Sequence, residues 1–415
     1  VTQSFTRIDE LTDMAPRRIV IYSHDTYGLG HLRRNIALAE ALVRINRSVR
    51  VIIMTGSRVA SSFNTSRGIE LVELPPVIKV GPDEYESYGV SIPLSLIKRA
   101  RAAIIKDIVV RFNPDIFYVD HSPLGMSKEL LGVLDFLVLA HPKIHRVIGL
   151  RDVIDSPTNL GQSWATDGVL DAIARYYHAV FVFGEEAIYD LRKNYSIPES
   201  VKLRYLSYLG KPEFIEAGVR RAEFFANASS DQGYFLVTGG GGGDAQEVCE
   251  VGIEVGKVIQ VPTLVVAGPL MEVHALAHLR RLIGDAANIS LIDFELNIEV
   301  LLSKSRVALS MAGYNTTVEL AAARVPALYL PRIYPRQEQL IRAKIFEKLG
   351  FGRVVDLSRW EIERISQEVM HFWSEPILSS QISVNMSAIP KFASQIVVPD
   401  LVDFDRACDS AETTP

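Results

Sequence analysis

The 415-residue sequence predicts an α/β protein made of two doubly wound parallel-sheet lobes that face a shared cleft. Three observations carry this expectation. Apolar strands alternate with helical segments, the pattern of parallel sheets covered by helices on both faces. The alternation restarts after Tyr205. Each half also opens with a glycine-rich turn between a strand and a helix: Gly28-Leu29-Gly30-His31 in the first, Gly239 through Gly243 in the second. Such turns present bare backbone N–H groups and a helix N-terminus, which together favour phosphate.

In chain order, the first lobe is expected over 17–206. Its strands end near Ser23, Met54, Asp120, Leu150 and Phe183, and its helices are expected at 31–45, 93–112, 127–139, 170–178 and 187–194. The strands are rich in Val and Ile on both faces, as burial on both sides requires. A linker is expected at 207–217, where Gly210 and Pro212 punctuate the chain. The second lobe, 218–389, has strands expected at 234–238, 263–267, 289–292, 307–310 and 327–330. They alternate with helices at 245–260, 273–283, 298–304, 316–323 and 337–349. A helix within 390–404 is expected to cross back onto the first lobe, and the segments 1–16 and 405–415 to be flexible.

Composition narrows the function. Apolar residues make up 48% and charged residues 22%, enough to bury large cores. The net charge of −5 and the lack of a basic tail disfavour duplex nucleic acid, whose binding rests on neutralising phosphates. Cys249 and Cys408 are the two cysteines, which argues against a disulfide scaffold or a cysteine metal site and suits a reducing cytoplasm. The opening segment carries Asp9, Glu10 and Asp13 and lacks an apolar signal region. The longest nearly apolar run, 130–140, contains Asp135 and is too short to span a bilayer.

The first turn is not a dinucleotide fingerprint. Gly28 and Gly30 fit, but Arg33 stands at the third glycine position, and the second strand ends Met54-Thr55-Gly56 without an acid. Neither turn has the Gly-Lys-Ser/Thr of a phosphate-binding P-loop. Asp244 follows the five glycines, and an anion there does not suit a tight phosphate clamp, although Gly240 and Gly241 can still wall the cleft.

The block from Val307 to Leu349 is the most specific stretch. A strand ends at Ser310, and Gly313 lets a phosphate approach the backbone. Thr316 and Thr317 are expected to cap the following helix and donate hydroxyls to that phosphate. Glu319, one turn further in, can accept both hydroxyls of a ribose; an ordinary first-turn acid favoured by the helix dipole is the alternative. After the next strand, Arg336, Gln337 and Glu338 open another helix, where they can reach sugar hydroxyls and a leaving phosphate.

This block resembles the nucleotide-sugar site of GT-B glycosyltransferases, most closely the MurG-type N-acetylglucosaminyltransferases. Gly313, Thr316 and Glu319 fall on that family's Gly-x-x-Thr-x-x-Glu helix start. Arg336, Gln337 and Glu338 fall on its Arg-Gln-Gln-like loop, with Glu338 replacing a glutamine. Gly30-His31 matches the end of its Gly-Gly-His turn. The stretch from Gly28 through Arg34 is also similar to the Gly-x-Gly-His-x-x-Arg turn of PseG-type nucleotide-sugar hydrolases. Arg33 and Arg34 depart from the MurG pattern. The resemblance implies a GT-B fold and metal-independent, inverting sugar transfer. The donor would be a nucleoside diphosphate sugar, UDP-linked, and the acceptor a small-molecule or lipid-linked hydroxyl.

Such chemistry needs a base on the acceptor hydroxyl. His31 sits in the turn facing the cleft, and an unperturbed pKa of about 6.5 suits the task. Asp120, at the carboxyl end of its strand, is the candidate to orient it, with Asp152 in reserve. Plant-type GT-B enzymes, which the chain resembles here, pair a similarly placed His and Asp. A phosphate-contacting or helix-capping role for His31 stays open. Leaving-group stabilisation would come from the helix opening at Gly313 and from Arg336. The 94–112 helix carries Lys98, Arg99, Arg101 and Lys106 away from its apolar side, so a peripheral membrane contact is one expectation and a sheet-packing helix the other. A nucleotide-sugar hydrolase and a non-catalytic nucleotide-sugar-binding protein are the competing functions.

Overall fold

The computed structural model describes residues 17–25, 30–81, 84–88, 92–210, 212–227, 233–241 and 243–374. Gly28, Cys408, the opening segment 1–16 and the expected 390–404 helix and 405–415 tail lie outside the described residues.

The first sheet has seven parallel strands in the order β3-β2-β1-β6-β7-β8-β9. These are β1 (Arg18–Tyr22), β2 (Arg50–Thr55), β3 (Ile69–Glu73), β6 (Ile116–Asp120), β7 (His145–Arg151), β8 (Ala179–Phe183) and β9 (Leu203–Tyr205). An antiparallel hairpin, β4 (Val77–Gly81) and β5 (Glu84–Ser87), interrupts the alternation. Helices α1 (Gly30–Ile45), α2 (Leu94–Phe112), α3 (Leu131–Ala140), α4 (Pro157–Asp167), α5 (Val169–Tyr176) and α6 (Leu191–Tyr195) belong to this lobe.

The second sheet has six parallel strands in the order β12-β11-β10-β13-β14-β15. They are β10 (Tyr234–Thr238), β11 (Thr263–Val266), β12 (Ile289–Ile292), β13 (Ser305–Ser310), β14 (Ala327–Tyr329) and β15 (Gly352–Val354). Its helices are α7 (Pro212–Asn227), α8 (Gln246–Ile259), α9 (Val273–Ile283), α10 (Ile298–Leu302), α11 (Tyr314–Ala322), α12 (Glu338–Lys348) and α13 (Ile362–Ser374). Residues 212–217, grouped with the linker on their Gly and Pro content, form the first turns of α7, which packs on α10 and α11. Proline is tolerated at a first helical position because the N–H it lacks has no partner there anyway.

Local chemistry explains several boundaries. Ser156 caps α4 by accepting from the Asn159 amide, with Pro157 in the first turn and Gly168 ending the helix at φ 64°. Asp190 caps α6 in the same way. Helix α1 is capped from outside its own turn: Asp25 Oδ1 accepts the Leu32 amide at 2.9 Å, and Oδ2 accepts the Thr55 hydroxyl at 2.6 Å.

Strand β6 is buried at all five positions, so its last residue, Asp120, is carried into the interior with its charge. On one face of the two sheets the apolar core is continuous across the lobes, running through Leu209, Phe214, Tyr314 and Val318. The opposite faces have separate cores. The strand order reverses between β1 and β6 in one sheet and between β10 and β13 in the other. Crevices at the carboxyl ends of strands form at such reversals, and both lie on the interlobe cleft.

Candidate active site

His31 stands in the first turn of α1, and its Nδ1 lies 2.6 Å from Asp120 Oδ2. That pairing places the Nδ1 proton toward the carboxylate and leaves Nε2 as the basic nitrogen. Asp120 also accepts from Arg34, and from Asn35 Nδ2 at 3.2 Å. Although burial works against its charged form, Arg34 and His31 hold the Asp120 carboxyl well below the usual carboxylate range. Burial pushes His31 below its ordinary value, against the opposing pull of Asp120, so the imidazole is neutral and able to accept a proton near pH 7. Two further imidazoles pack beside it, His24 with its centroid at 5.9 Å and His121 at 5.2 Å. Burial and the neighbouring Arg151 keep His121 neutral as well. Asp152, the reserve orienter, does not reach His31: Arg342 from the second lobe clamps it, with Nη2 at 2.7 Å and Nε at 3.0 Å.

Two cavities lie near this histidine cluster, one lined by His24 and His121 and the other by Gly30 and Arg34, the neighbours of His31 on α1. The larger, about 340 Å³, is walled by the first lobe apart from Arg336, and is lined by His24, His121, Tyr85, Trp164, Lys128 and Asp155 among others. The smaller, about 170 Å³, lies between the lobes. From the first lobe it takes Gly30, Arg33, Arg34 and Arg151. From the second it takes Gly240, Gly241, Asp244, Gly313, Thr316 and Glu338, with Arg332 and Arg342.

The smaller cavity has the features of an anion site. Gly313 is the N-cap of α11, so the first amides of that helix are open to a ligand. A Cβ at Gly313 would meet no atom within 4 Å, which leaves a bare cradle beside those amides. Gly240 has φ 68°, and a Cβ there would come within 3.1 Å of the Thr316 hydroxyl, so a side chain is disfavoured on two counts. Gly30 lines the same cavity, and its carbonyl accepts from Asn315 Nδ2 at 3.0 Å.

The structure corrects several expectations. Thr316 lines the cavity, but Thr317 is fully buried, and neither caps α11 with its side chain. The helix begins two residues earlier than expected, which turns Thr317 to the inner face. Glu319 is mostly buried and pairs with Arg33 of the first lobe at 2.5 Å; a ribose would have to replace that arginine. Arg336 does not face the smaller cavity. It lines the larger one, with Nη1 3.2 Å from His121 Nε2. Gln337 contributes its backbone amide, donated to Asp155 Oδ1 across the cleft at 2.8 Å. Glu338 does line the smaller cavity. Burial opposes its charge, but Arg151, Arg332 and Arg342 hold its carboxyl low, and Arg332 bonds it at 2.7 Å. The same Arg332 reaches Asp244 at 2.6 Å, so the acid after the five glycines is neutralised.

On α2, Arg101 is not part of an exposed basic face: it is buried and held by both Glu129 oxygens, at 2.7 and 2.8 Å. Ile97, Ile105 and Val109 bury the same side of that helix against the lobe. Among the described residues no helix is long and apolar enough to cross a membrane.

Arg151, Arg342, His24 and His121 were not legible as site residues. Arg151 ends β7 and His121 follows β6, at the carboxyl ends of parallel strands, and that position is the one signal either residue carries in the sequence. Arg342 lies inside α12 and meets Asp152 across 190 residues, which no local pattern encodes.

Two doubly wound parallel sheets meeting at their strand-order reversals, with an anion-suited cavity between them, define the two-lobed GT-B fold. Residues 264–395 match the model of the glycosyltransferase family 28 C-terminal domain. The chain is 28% identical over 86 residues to the UDP-N-acetylglucosamine--N-acetylmuramyl-(pentapeptide) pyrophosphoryl-undecaprenol N-acetylglucosamine transferase of Sodalis glossinidius, a match covering 20% of this chain and 24% of that protein. The chain thus spans about a quarter of the length of that curated relative. MurG of Acinetobacter baumannii superposes with a TM-score of 0.60 at 15% identity, covering 94% of this chain and 100% of that one. UGT2 of Phytolacca americana, solved with UDP-2-fluoroglucose and pterostilbene, gives 0.61 at 14% identity, covering 95% and 100%. The chain has the GT-B fold, and its second lobe is similar to the glycosyltransferase family 28 C-terminal domain.

Proposed function

We propose that the protein is a glycosyltransferase that moves a sugar from a nucleoside diphosphate donor, UDP-linked, to a hydroxyl acceptor with inversion at the anomeric carbon. The observation that carries this is the His31–Asp120 pair, whose neighbours His24 and His121 line one cavity and whose neighbours Gly30 and Arg34 line another of different chemistry. The donor diphosphate would lie in the arginine-lined cavity, against the Gly313 amides, with its ribose on Glu319. The acceptor would lie in the first-lobe cavity. His31 Nε2 takes the acceptor hydroxyl proton as that oxygen bonds to the anomeric carbon. The bond from that carbon to the diphosphate breaks, and its electron pair leaves on the phosphate oxygen. Asp120 stabilises the imidazolium that forms. The arginines supply positive charge to the leaving group, a task that a divalent metal performs in other sites, so the transfer is proposed to need no metal.

A cavity of about 340 Å³ beside the base favours an organic acceptor over water, and hence transfer over hydrolysis. The names of the curated relatives support a lipid-linked acceptor and N-acetylglucosamine as the first choices to assay. The test follows release of UDP from UDP-N-acetylglucosamine with and without candidate acceptors. Acceptor-dependent release is expected. Release at turnover rates without acceptor would make the protein a hydrolase, and tight binding with no release would make it a sensor. His31→Ala is expected to abolish transfer and leave UDP affinity intact; unchanged turnover would remove His31 from the reaction.

A further inference from the structure

Five arginines line the interlobe cavity, and four of them are already paired with carboxylates. Arg33 bonds Glu319, Arg34 bonds Asp120, Arg332 bonds Asp244 and Glu338, and Arg342 bonds Asp152. Arg151, at the end of β7, has no carboxylate hydrogen bond among the described residues, and its Nε is buried without a partner. A guanidinium in that state is costly, because desolvation of the charge is not offset by an anion. The charge is correspondingly strained: burial first, then Arg34 and Arg342 nearby, lowers the Arg151 pKa to about 10, with Glu338 opposing. A phosphate entering the cavity would supply what is missing, since a guanidinium fork matches two phosphate oxygens.

We propose that Arg151 of the first lobe is a leaving-group residue that grips the donor's diphosphate opposite the Gly313 amides of the second lobe. This rests on the nucleotide-sugar reading of the cavity and adds a residue and a consequence to it. As the bond from the anomeric carbon to the phosphate oxygen breaks, the electron pair stays on the diphosphate, and the added negative charge falls beside Arg151. The diphosphate then bridges the two lobes, so leaving-group stabilisation requires the cleft to be closed. Arg342 is committed through Nε and both Nη atoms to Asp152, Ala312 and Val153, and Arg34, whose Nε also lacks a partner, spends its Nη2 on Asp120, which leaves Arg151 as the arginine of this cavity with no carboxylate hydrogen bond among the described residues.

The test is titration calorimetry of the wild type, Arg151→Met and Arg151→Lys with UDP, uridine and inorganic pyrophosphate. Arg151→Met is expected to weaken UDP and pyrophosphate by about tenfold or more, the usual effect of losing a charge-assisted contact. Uridine affinity should be unchanged, and the unfolding midpoint not lowered. Arg151→Lys, which keeps the charge without the fork, should fall between, and it carries the same comparison if the methionine variant does not fold. UDP and pyrophosphate binding within twofold of wild type in the variants would overturn the assignment and leave the nucleotide site standing. An equal loss of uridine would also overturn it, by showing a structural role. Wild-type protein that binds pyrophosphate but not UDP would refute the nucleotide, with Arg151 then judged on pyrophosphate alone. Wild-type protein that binds neither would refute both.

Discussion

Asp120→Asn separates the charge of this carboxylate from its shape. The side chain is buried and accepts from His31 at 2.6 Å, from Asn35 at 3.2 Å and from Arg34. In the proposed transition state His31 gains a positive charge next to Asp120. At an effective dielectric near 20, a pair of full charges about 4 Å apart is worth about 4 kcal/mol, or about a thousandfold in rate. Asparagine can also donate to Nδ1, which would favour the tautomer whose Nε2 carries the proton and cannot act as base. The expected result is a fall in kcat of about a thousandfold with donor affinity little changed.

Two further readouts distinguish this from a general loss of structure. Asp120 raises the His31 pKa against the larger lowering by burial. Removing it should therefore move the acid limb of the rate profile to lower pH while the plateau falls. Arg34 would be left buried without its anion, so urea unfolding should show a loss of about 3–5 kcal/mol. The assay is UDP release across pH 4.5 to 8, alongside denaturation at pH 7. A plateau within about threefold of wild type, or an acid limb that moves to higher pH, would refute the dyad.

Gly313→Ala should leave the unfolding midpoint almost unmoved, because the new Cβ meets no protein atom within 4 Å and the backbone is extended. It should weaken UDP by about tenfold by filling the cradle; unchanged affinity would remove Gly313 from the site. Glu319→Ala should weaken UDP by about tenfold through loss of its charged acceptor, as measured by titration calorimetry. Arg342→Ala leaves Asp152 buried and unpaired between the lobes, and should cost about 3–5 kcal/mol in urea unfolding; a loss below about 1 kcal/mol would contradict an interlobe lock. In the wild type, the folded state resists protonating His31, whose pKa is lowered, while the unfolded chain binds that proton near pH 6.5. The His31 contribution to stability is therefore complete above about pH 6.5 and is lost as pH falls through the lowered value, visible as a declining urea midpoint.

Much of the fold was legible because its signals are local. Strands β1, β2, β6, β7 and β8, and β10 through β14, are apolar runs bounded by polar turns, and each was expected near its observed place. Those missed lack that contrast. Strand β3 mixes Glu70 and Glu73 with apolar residues at a sheet edge, and β9 and β15 are three-residue edge strands with an arginine at the centre, unlike the wholly apolar β14. Helix α7 was hidden by the Gly210 and Pro212 at its start, which read as linker punctuation but prove compatible with a helix beginning at the proline.

The candidate site divides the same way. His31, Asp120, Gly313 and Glu319 follow glycine turns or strand ends, places where a parallel sheet must expose its chemistry, so position alone singled them out. Thr317 and Arg336 had the right neighbours, yet a two-residue shift in a helix start and the course of one loop turned them elsewhere. Two lobes, their glycine turns and the histidine after the first turn could be read along the chain, because these depend on periodicity and backbone freedom within short windows. Which charges meet depends on how the lobes come together: Arg33 on Glu319, Arg342 on Asp152, and Arg151 on no carboxylate among the described residues. Those pairings cross from one lobe to the other, and they follow from the distance over which two separately folded sheets bring their strand ends together.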